Sequence, residues 1–343
     1  MEEVNYSIKR VLLIPKTDEV KFYNDRFGRQ LFMSMCEQGI IDKNHARENS
    51  DEHKRTLETV EALLKQNNIN YEKVSQSDLE IEKFEKEWDL IIPVGGDGTL
   101  LYVAGFIQND TPVLGVKSSA KSVGAHLFTD ATNIQEHLDR LVSGNYHIEK
   151  QSRLEGLIPK GTFTIKDLAL NDIAVGDLHF SGMGKVEIHY DNAIYNTAGS
   201  AIVATTYKGK TGWYDNFMVP ERNESKTGTL KKALLAAGFD EDYINNLKFS
   251  CPESEYLEGE ETLIRYKVMA GRSNKEHKSE GYDYGIIPVG KELIIVSKSV
   301  TGVYAAFDGG TPDKPGKRFY EIPFGGSITI KMSDKPLSVV KFN

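Results

Sequence analysis

The sequence of 343 residues predicts an α/β protein, with a parallel N-terminal α/β domain followed by a mainly β C-terminal domain. Strand-like and helix-like segments alternate over residues 1–140, which indicates a parallel sheet with helices on both faces. From about Tyr146 onward, candidate strands follow one another with few helices between them. A buried strand at residues 90–94 runs directly into a glycine-rich turn and then into a helix. These observations together predict the fold class.

The composition is that of a soluble globular protein, with 39% hydrophobic and 27% charged residues. A net charge of −8 argues against a general nucleic-acid or anionic-membrane binder. The cysteines, Cys36 and Cys251, have no metal-ligand spacing, and no apolar run is long enough to span a bilayer. The N-terminus lacks the basic and apolar regions of a signal peptide. We therefore expect a cytoplasmic protein without a nucleic-acid or membrane partner.

In the first domain, apolar spacing predicts the elements in order. The predicted strands are residues 10–17, 71–74, 90–94 and 112–116. The predicted helices are residues 22–38, 55–65 and 100–107. Residues 41–52 are polar and are predicted to form a loop, and the charges over 79–87 are more typical of a solvated helix face.

The second domain is predicted from period-two alternation, which is typical of half-buried antiparallel strands. The predicted strands are residues 146–155, 163–177, 185–191, 200–206, 263–269, 293–298, 303–308 and 327–332. A charged helix is predicted at 230–237 and an exposed loop at 274–284. The predicted domain bounds are 1–140 for the α/β domain and 141–317 for the β-rich domain, with 318–343 as a C-terminal segment.

The chemistry centres on Gly95-Gly96-Asp97-Gly98-Thr99, between the buried strand and the helix. Glycines allow a close backbone approach, and a helix N-terminus offers free N–H donors, so this arrangement suits phosphate. No lysine follows the last glycine, which excludes a P-loop. The Asp97 carboxylate can accept a proton from a hydroxyl or hold a metal that carries phosphates. The alternative, at about even odds, is an acid that caps the helix.

Three further stretches combine polar groups with turn residues inside strand-like sequence: residues 115–127, 169–173 and 204–213. In an open α/β sheet the loops after the strand ends face the ligand crevice. The first stretch therefore belongs beside Asp97. The other two lie in the β-rich domain, and their spacing alone does not bring them to the same cleft.

The order of these stretches resembles the ATP-dependent NAD kinases. The matching elements are Gly-Gly-Asp-Gly-Thr, then Gly-Val-x-Ser-x-x-x-Ser-x-Gly-x-His-Leu, then Leu-Asn-Asp, and then Lys-Thr-Gly-Trp. The opening Val-Leu-Leu-Ile-Pro-Lys-Thr and the Ser-x-Gly-x-His-Leu variant resemble the mitochondrial-type branch. Diacylglycerol and sphingosine kinases share the first element alone, whereas the four in this order are more specific.

The resemblance implies an NAD kinase-like fold with an active site between the two domains, and a C-terminal segment that returns to the first. Asp97 is then the general base for the 2′-hydroxyl of the adenosine ribose. It implies that the nucleotide-binding residues are Gly95, Gly96, Gly98, Thr99, Lys117, Ser118, Asn171, Asp172, Lys208, Lys210, Thr211, Gly212 and Trp213. The implied cofactors are ATP and Mg²⁺, and the implied assembly is a homodimer or homotetramer.

The chain departs from the family at several of these positions. Lys117 replaces an asparagine, Ser119 replaces an aspartate, and residues 207–210 replace a Gly-Thr-Gly-Ser run. Asp172 is one methylene shorter than the usual glutamate. Any one of Lys117, Lys208 and Lys210 is more readily explained as a solvated side chain. Three added point charges together indicate an altered preference for anionic ligands or a loss of activity.

The histidines give weaker evidence of a functional site. His126 lies in a matched element, and a hydrogen-bonded wall residue is the favoured interpretation. The other histidines considered, which have no ligand-like spacing, are His53, His137, His147, His179 and His189.

The sequence therefore predicts ATP- and Mg²⁺-dependent phosphorylation of NAD at the 2′-hydroxyl, giving NADP. One alternative is a kinase for another hydroxyl-bearing ligand, such as a lipid or another nucleotide. A second alternative is a nucleotide-binding sensor of the same fold with weak or no turnover.

Overall fold

The structure is a computed structural model that describes residues 8–119, 124–180, 182–190, 193–214, 234–235, 238–240, 263–269, 284–312 and 318–342. The chain divides into two units. Unit 1 comprises Met1–Gln151 together with Lys335–Asn343, and unit 2 comprises Ser152–Asp334. The predicted domain bounds, 1–140, 141–317 and 318–343, stay a prediction.

Unit 1 is built on a parallel sheet of five strands in the order β2-β1-β3-β4-β5. The strands are β1 (Arg10–Pro15), β2 (Asn70–Lys73), β3 (Leu90–Gly95), β4 (Val116–Lys117) and β5 (Thr129–Asp130). Strand β3 is buried along its whole length, as the continuous apolar sequence predicts. The predicted parallel α/β region at the N-terminus is thereby confirmed.

The helices of unit 1 are α1 (Glu19–Phe27), α2 (Arg29–Glu37), α3 (Lys43–Gln66), α4 (Asp97–Phe106) and α5 (Ile134–Val142). Helices α3 and α5 contribute apolar side chains to the core that they share with this sheet. The single helix predicted over 22–38 is wrong, because Gly28 interrupts it with a φ of +75°. That left-handed conformation is one that glycine adopts without steric cost.

The loop predicted over 41–52 is also wrong, because most of it forms the first half of α3. Asp42 caps this helix by accepting the N–H groups of Asn44 and His45, both at 3.0 Å. Its buried face carries polar side chains, among them Asn49 and His53, where apolar residues mark most buried helix faces. The polar face explains why apolar spacing missed this half of the helix.

Residues 79–87 do not form a solvated helix. Only a 3₁₀ turn, Ile81–Lys83, is present. Leu79 and Phe84 on either side of it are buried, and Phe84 stacks on Phe106 of α4 at a centroid distance of 5.5 Å. The charged side chains therefore alternate with buried anchors in an irregular segment.

The end of the chain returns to unit 1. Strand β19 (Leu337–Lys341) pairs antiparallel with β6 (His147–Gln151). Val113 joins this pair to the parallel sheet, because it bridges both Ile91 and Val339. The strand predicted over 112–116 is thus reduced to this bridge and the start of β4.

Unit 2 consists of two antiparallel six-stranded sheets, in the orders β11-β10-β15-β18-β7-β8 and β14-β13-β12-β9-β16-β17. The strands are β7 (Leu154–Lys160), β8 (Phe163–Ala169), β9 (Asp172–Gly176), β10 (Gly184–Tyr190), β11 (Ala193–Gly199), β12 (Ala201–Thr205), β13 (Ile264–Met269), β14 (Tyr284–Ile287), β15 (Glu292–Ser297), β16 (Val303–Phe307), β17 (Phe319–Ile322) and β18 (Ser327–Met332). One apolar cluster takes side chains from both sheets. The predicted β-rich region is confirmed.

Two predicted strands of this region each prove to be two. Residues 146–155 divide into β6 of unit 1 and β7 of unit 2, and residues 163–177 divide into β8 and β9. Strands β11, β14 and β17 were not predicted. The helix predicted at 230–237 lies largely outside the described residues, as does the loop predicted at 274–284. Within the described residues, no helix is long and apolar enough to cross a membrane.

Candidate functional site

The glycine turn of unit 1 joins β3 to α4 with close packing. A Cβ at Gly95 would lie 2.3 Å from Thr99 Oγ1 and 3.1 Å from the Cβ of Lys16. The N–H groups of Thr99 and Leu100 both bond to the carbonyl of Gly96, at 2.9 and 3.3 Å. Glycine is therefore needed at position 95 for steric reasons, and α4 starts immediately beyond it.

The turn lies at the topological switch point of the sheet. Strands β1 and β3 are neighbours, but the chain leaves β1 for β2 on one side and leaves β3 for β4 on the other. In open parallel sheets, ligands bind in the crevice outside the carboxyl ends of the strands at such a point. The residues that follow these two ends are Lys16 and the glycine turn.

Asp97 is the first residue of α4, yet its carboxylate does not cap the helix. Gly96 occupies the N-cap position, and no side-chain cap bond is formed there. The Asp97 oxygens instead accept the backbone N–H groups of Ala125 and His126, both at 2.9 Å. The capping alternative is therefore wrong.

These two bonds orient the carboxylate without saturating it. An ionised carboxylate has about four lone-pair sites, and each oxygen here uses one to accept a backbone N–H. The side chain is partly exposed. Asp97 can thus accept a further hydrogen bond from a ligand hydroxyl.

Lys117 and Ser118 lie next to the same turn. Strand β4 pairs with β3 so that Lys117 is opposite Gly95, and the N–H of Ser118 donates to the Gly95 carbonyl at 2.9 Å. A Cβ at Gly124, which has a φ of +72°, would lie 3.7 Å from the Lys117 Nζ. Ser118 is buried, and within the described residues its hydroxyl has no hydrogen-bond partner. Unit 1 therefore brings together Asp97, Lys117, Ser118 and the glycine turn.

Sequence reasoning missed a buried polar cluster behind this turn. Ser119 Oγ donates to Asn49 Oδ1 at 3.1 Å, and Asn49 Nδ2 donates to Glu19 Oε2 at 3.1 Å. Burial, and then the charge of Lys16, lower the pKa of His53 to about 4. Burial also lowers the pKa of Lys16. The available signal was the spacing of Asn49, His53 and Thr56 at i, i+4 and i+7, which places them on one face of α3.

In unit 2, the Asn171–Asp172 turn and the loop at 206–213 are in close contact. A Cβ at Gly209 would lie 2.0 Å from the Asn171 carbonyl oxygen, and a Cβ at Gly212 would lie 2.6 Å from Asp172 Oδ2. The N–H of Trp213 donates to the same Asp172 oxygen at 3.0 Å. The loop approaches the turn so closely that both positions accept only glycine.

The predicted lysines of this loop lie in a 3₁₀ turn, Lys208–Thr211. The side chain of Lys208 is exposed. Unit 2 thus brings together the backbone of the whole predicted set: Asn171, Asp172, Lys208, Lys210, Thr211, Gly212 and Trp213.

Asp172 is buried in an environment that disfavours its charge. Burial, and then the nearby charge of Asp308, raise the pKa of Asp172 to about 7, and the hydrogen bond from the Trp213 N–H opposes this rise. Asp308 is also buried, but its carboxylate faces Arg318 and three backbone N–H groups. Asp172 has fewer donors than Asp308, so its ionised form is the less stabilised of the two.

The chain thus has a glycine turn of the kind that binds phosphate, on a parallel α/β unit, and this unit is followed by an antiparallel β unit. Residues 16–146 match the family model of the ATP-NAD kinase N-terminal domain. The N-terminal part of the chain is therefore similar to the N-terminal domain of the ATP-NAD kinases.

Curated relatives match about a third of the chain. An NAD kinase of Clostridium perfringens is 33% identical over 128 residues, which cover 36% of this chain and 45% of the relative. An NAD kinase of Moorella thermoacetica is 30% identical over 125 residues, which cover 36% of this chain and 40% of the relative. The chain spans about half the length of the curated relatives it matches.

Two solved structures are similar over nearly the whole chain. One is an NAD kinase from Archaeoglobus fulgidus in complex with ATP, with a TM-score of 0.56 and 18% identity, covering 97% of this chain and 93% of that one. The other is a yeast NADH kinase complexed with NADH, with a TM-score of 0.58 and 15% identity, covering 99% and 85%. At these identities the similarity establishes the fold.

Proposed function

We propose that this chain is an ATP-dependent NAD kinase, which transfers the γ-phosphoryl group of ATP to the adenosine-ribose 2′-hydroxyl of NAD and gives NADP. The observation that supports this most is the partly exposed carboxylate of Asp97, oriented by two backbone N–H groups at the switch point of a family-matched unit. Phosphoryl transfer depends on positioning and charge neutralisation, which such a turn provides.

In the proposed mechanism, Asp97 accepts the proton of the 2′-hydroxyl as that oxygen attacks the γ-phosphorus. The bond between the γ-phosphorus and the oxygen bridging to the β-phosphate breaks, and ADP leaves with the electron pair. The glycine turn and the free N–H groups at the start of α4 bind phosphate oxygens. Lys117 and Ser118 lie next to this turn and add a positive charge and a hydroxyl.

The proposed role of unit 2 is to bind the dinucleotide. In the sequence resemblance, Asn171 and Asp172 match the family's Asn-Glu pair. The N–H of Trp213 donates to Asp172, which supports this role. With a pKa of about 7, Asp172 is protonated in a large fraction of molecules near neutral pH. In that form it can donate a hydrogen bond as well as accept one.

We also propose that Mg²⁺ enters with ATP. The described residues contain no group of three or more His, Cys, Asp or Glu that could hold a metal. Mg²⁺ usually keeps several waters and is bound by substrate phosphates with one or two carboxylates, so it needs no such protein cage. Once bound, it would neutralise charge on the β- and γ-phosphates.

Other parts of the proposal rest on the sequence and the resemblance. They are a cytoplasmic location, a homodimer or homotetramer, and membership of the mitochondrial-type branch.

The test is NADP formation by the pure full chain from NAD, ATP and Mg²⁺, with NADH, a diacylglycerol and sphingosine as competing acceptors. We expect NADP to form and the lipids to remain unmodified. Phosphorylated lipid without NADP would favour the lipid-kinase alternative. Binding of ATP or NAD without any product would favour the sensor alternative. In that case the added lysines would serve to bind an anionic ligand and not to support catalysis.

A further inference from the structure

Asp308 joins two distant segments of unit 2 through its buried carboxylate. Its oxygens accept three consecutive backbone N–H groups: those of Leu170 at 2.9 Å, Asn171 at 2.7 Å and Asp172 at 3.3 Å. These groups belong to the turn between β8 and β9, which lies more than 130 residues earlier in the chain. The carboxylate therefore acts as an anion bound by the backbone of that turn.

The backbone of Asp308 fixes the same turn from its other side. Its own N–H donates to the Asp172 carbonyl at 2.9 Å. Its φ is +48°, a left-handed conformation in which aspartate and asparagine are enriched among non-glycine residues. The turn and the Asp308 segment thus constrain each other through four hydrogen bonds.

Arg318 links Asp308 to a second buried acid, Asp167. The Nη1 atom lies 3.3 Å from Asp308 Oδ2, and the Nε atom lies 3.3 Å from Asp167 Oδ2. Tyr320 also donates its hydroxyl to Asp167 Oδ2, at 2.9 Å. Both acids pair with one arginine, but only Asp308 bonds to the N–H groups of Asn171 and Asp172.

We propose that Asp308 is a positioning residue for acceptor binding: by orienting the backbone of the Asn171–Asp172 turn, it presents both side chains to the dinucleotide. This inference rests on the proposed function. The sequence marks Asp308 only as part of Ala306-Phe307-Asp308-Gly309, which is similar to a late Asp-Gly element of the family, and the inference gives it a role. Asp308 acts through the turn and need not touch the ligand.

The side-chain chemistry makes the role specific. An ionised aspartate offers only acceptors to the three N–H groups and to Arg318. An asparagine replaces one oxygen by an NH₂ group, which would face donors with another donor. Asn tolerates the left-handed backbone as Asp does, so Asp308→Asn changes the hydrogen bonds without adding backbone strain.

For Asp308→Asn we expect the KM for NAD to rise about 10- to 100-fold, the change that corresponds to the loss of a charge-assisted hydrogen bond. The KM for ATP and kcat should stay within about twofold of wild type, because the turn that holds Asp97 is untouched.

Asp167→Asn is the matched control. It removes one of the two carboxylates from the same arginine and should lower the thermal midpoint by a similar amount. In this variant the backbone N–H groups of residues 170–172 keep their acceptor, the carboxylate of Asp308. The KM for NAD should therefore stay within about twofold of wild type. An equal rise in KM for both variants, or none for Asp308→Asn, would overturn the proposal.

A second measurement keeps the test independent of turnover. Amide hydrogen exchange at Leu170, Asn171 and Asp172 should be accelerated at least about tenfold in Asp308→Asn and not in Asp167→Asn. If the wild type forms no NADP, the proposed function fails, and this exchange pattern still decides whether Asp308 orders the turn.

If Asp308→Asn has no cooperative melt, Asp308→Glu takes its place, because it keeps the charge for Arg318. Asp308→Glu should give the same exchange pattern. Unchanged amide exchange at residues 170–172 in Asp308→Glu would refute the positioning role.

Discussion

Asp97 accepts two backbone hydrogen bonds through its carboxylate, and this determines what an asparagine there should do. Asp97→Asn cannot accept the hydroxyl proton, so we expect NADP formation to fall about 10²–10⁴-fold. The NH₂ group also faces one N–H of the loop at Ala125 and His126, which should cost about 1–3 kcal/mol of stability.

The control for Asp97→Asn is Asp42→Asn. Asp42 also accepts two backbone N–H groups, at the start of α3, but it is not among the residues proposed for catalysis. Both bonds to Asp42 end on Oδ1, which asparagine retains, so Asp42→Asn should keep its thermal midpoint and its turnover. Only Asp97→Asn should lose turnover. Near wild-type turnover in Asp97→Asn would remove this residue from the mechanism.

Asp172 should give the protein a pH-dependent stability with an unusual sign. Burial and the charge of Asp308 raise the pKa of Asp172 from 3.8 to about 7 in the folded chain. Between these values the folded state binds more protons than the unfolded state, so the contribution to stability falls as pH rises. The upper limit of this loss is about 4 kcal/mol, from 1.36 kcal/mol per pKa unit.

The variant Asp172→Asn removes this titration and still offers an oxygen to the Trp213 N–H. The free energy of unfolding should therefore rise, relative to wild type, between pH 4 and pH 8. Taking the difference between variant and wild type cancels other groups, such as His53, whose lowered pKa makes its own contribution rise with pH. A pH-independent difference would mean that Asp172 stays ionised in the folded chain.

At the scale of elements, the β3–α4 junction distinguishes two glycines that look alike in the sequence. A Cβ at Gly95 would lie 2.3 Å from Thr99 Oγ1, whereas nothing lies within 4 Å of a Cβ at Gly98. Gly95→Ala should therefore destabilise unit 1 by about 1–3 kcal/mol through overpacking. Gly98→Ala, inside α4, should leave stability unchanged or raise it by up to about 1 kcal/mol.

Thermal midpoints and NADP formation together test this pair. If substrate phosphates fill the open space beside Gly98, Gly98→Ala should lose turnover while keeping its midpoint. Full turnover in Gly98→Ala would show that the space is not used. An unchanged midpoint in Gly95→Ala would contradict the close packing against Thr99.

Elements with local signals could be predicted from the sequence. The continuous apolar run of β3 and the glycines after it specify strand, turn and helix within eleven residues, and Asp97 lies at the start of that helix. The first half of α3 could not be found by apolar spacing, because its buried face carries Asn49 and His53. The hydrogen bonds of Asp308 could not be predicted either, because its partners are more than 130 residues away in the sequence.

At the scale of the whole molecule, the last strand supports the first unit. Leu337, Val339 and Val340 of β19 are buried, and the strand pairs with β6 and bridges Val113. Deleting residues 335–343 should therefore destabilise unit 1 by about 4.5–9 kcal/mol, from roughly 1.5–3 kcal/mol for each of the three buried side chains. Unit 2 should keep its stability.

The two tryptophans allow this to be measured unit by unit, because Trp88 belongs to unit 1 and Trp213 to unit 2. In the deletion variant, Trp213→Phe leaves fluorescence that reports unit 1, and Trp88→Phe leaves fluorescence that reports unit 2. We expect the deletion to shift the urea midpoint reported by Trp88 of unit 1 and not the midpoint reported by Trp213 of unit 2. An equal shift at both tryptophans would contradict the division into two units.

The return of the chain to unit 1 also affects its synthesis on the ribosome. Strand β6 and Val113 emerge early, but their partner β19 follows only after the whole of unit 2, residues 152–334. At about 5–20 residues per second, translation of the intervening segment takes on the order of 10–40 seconds. During this time the nascent chain presents an unpaired strand edge, which other polypeptides in the cell can pair with before β19 is made.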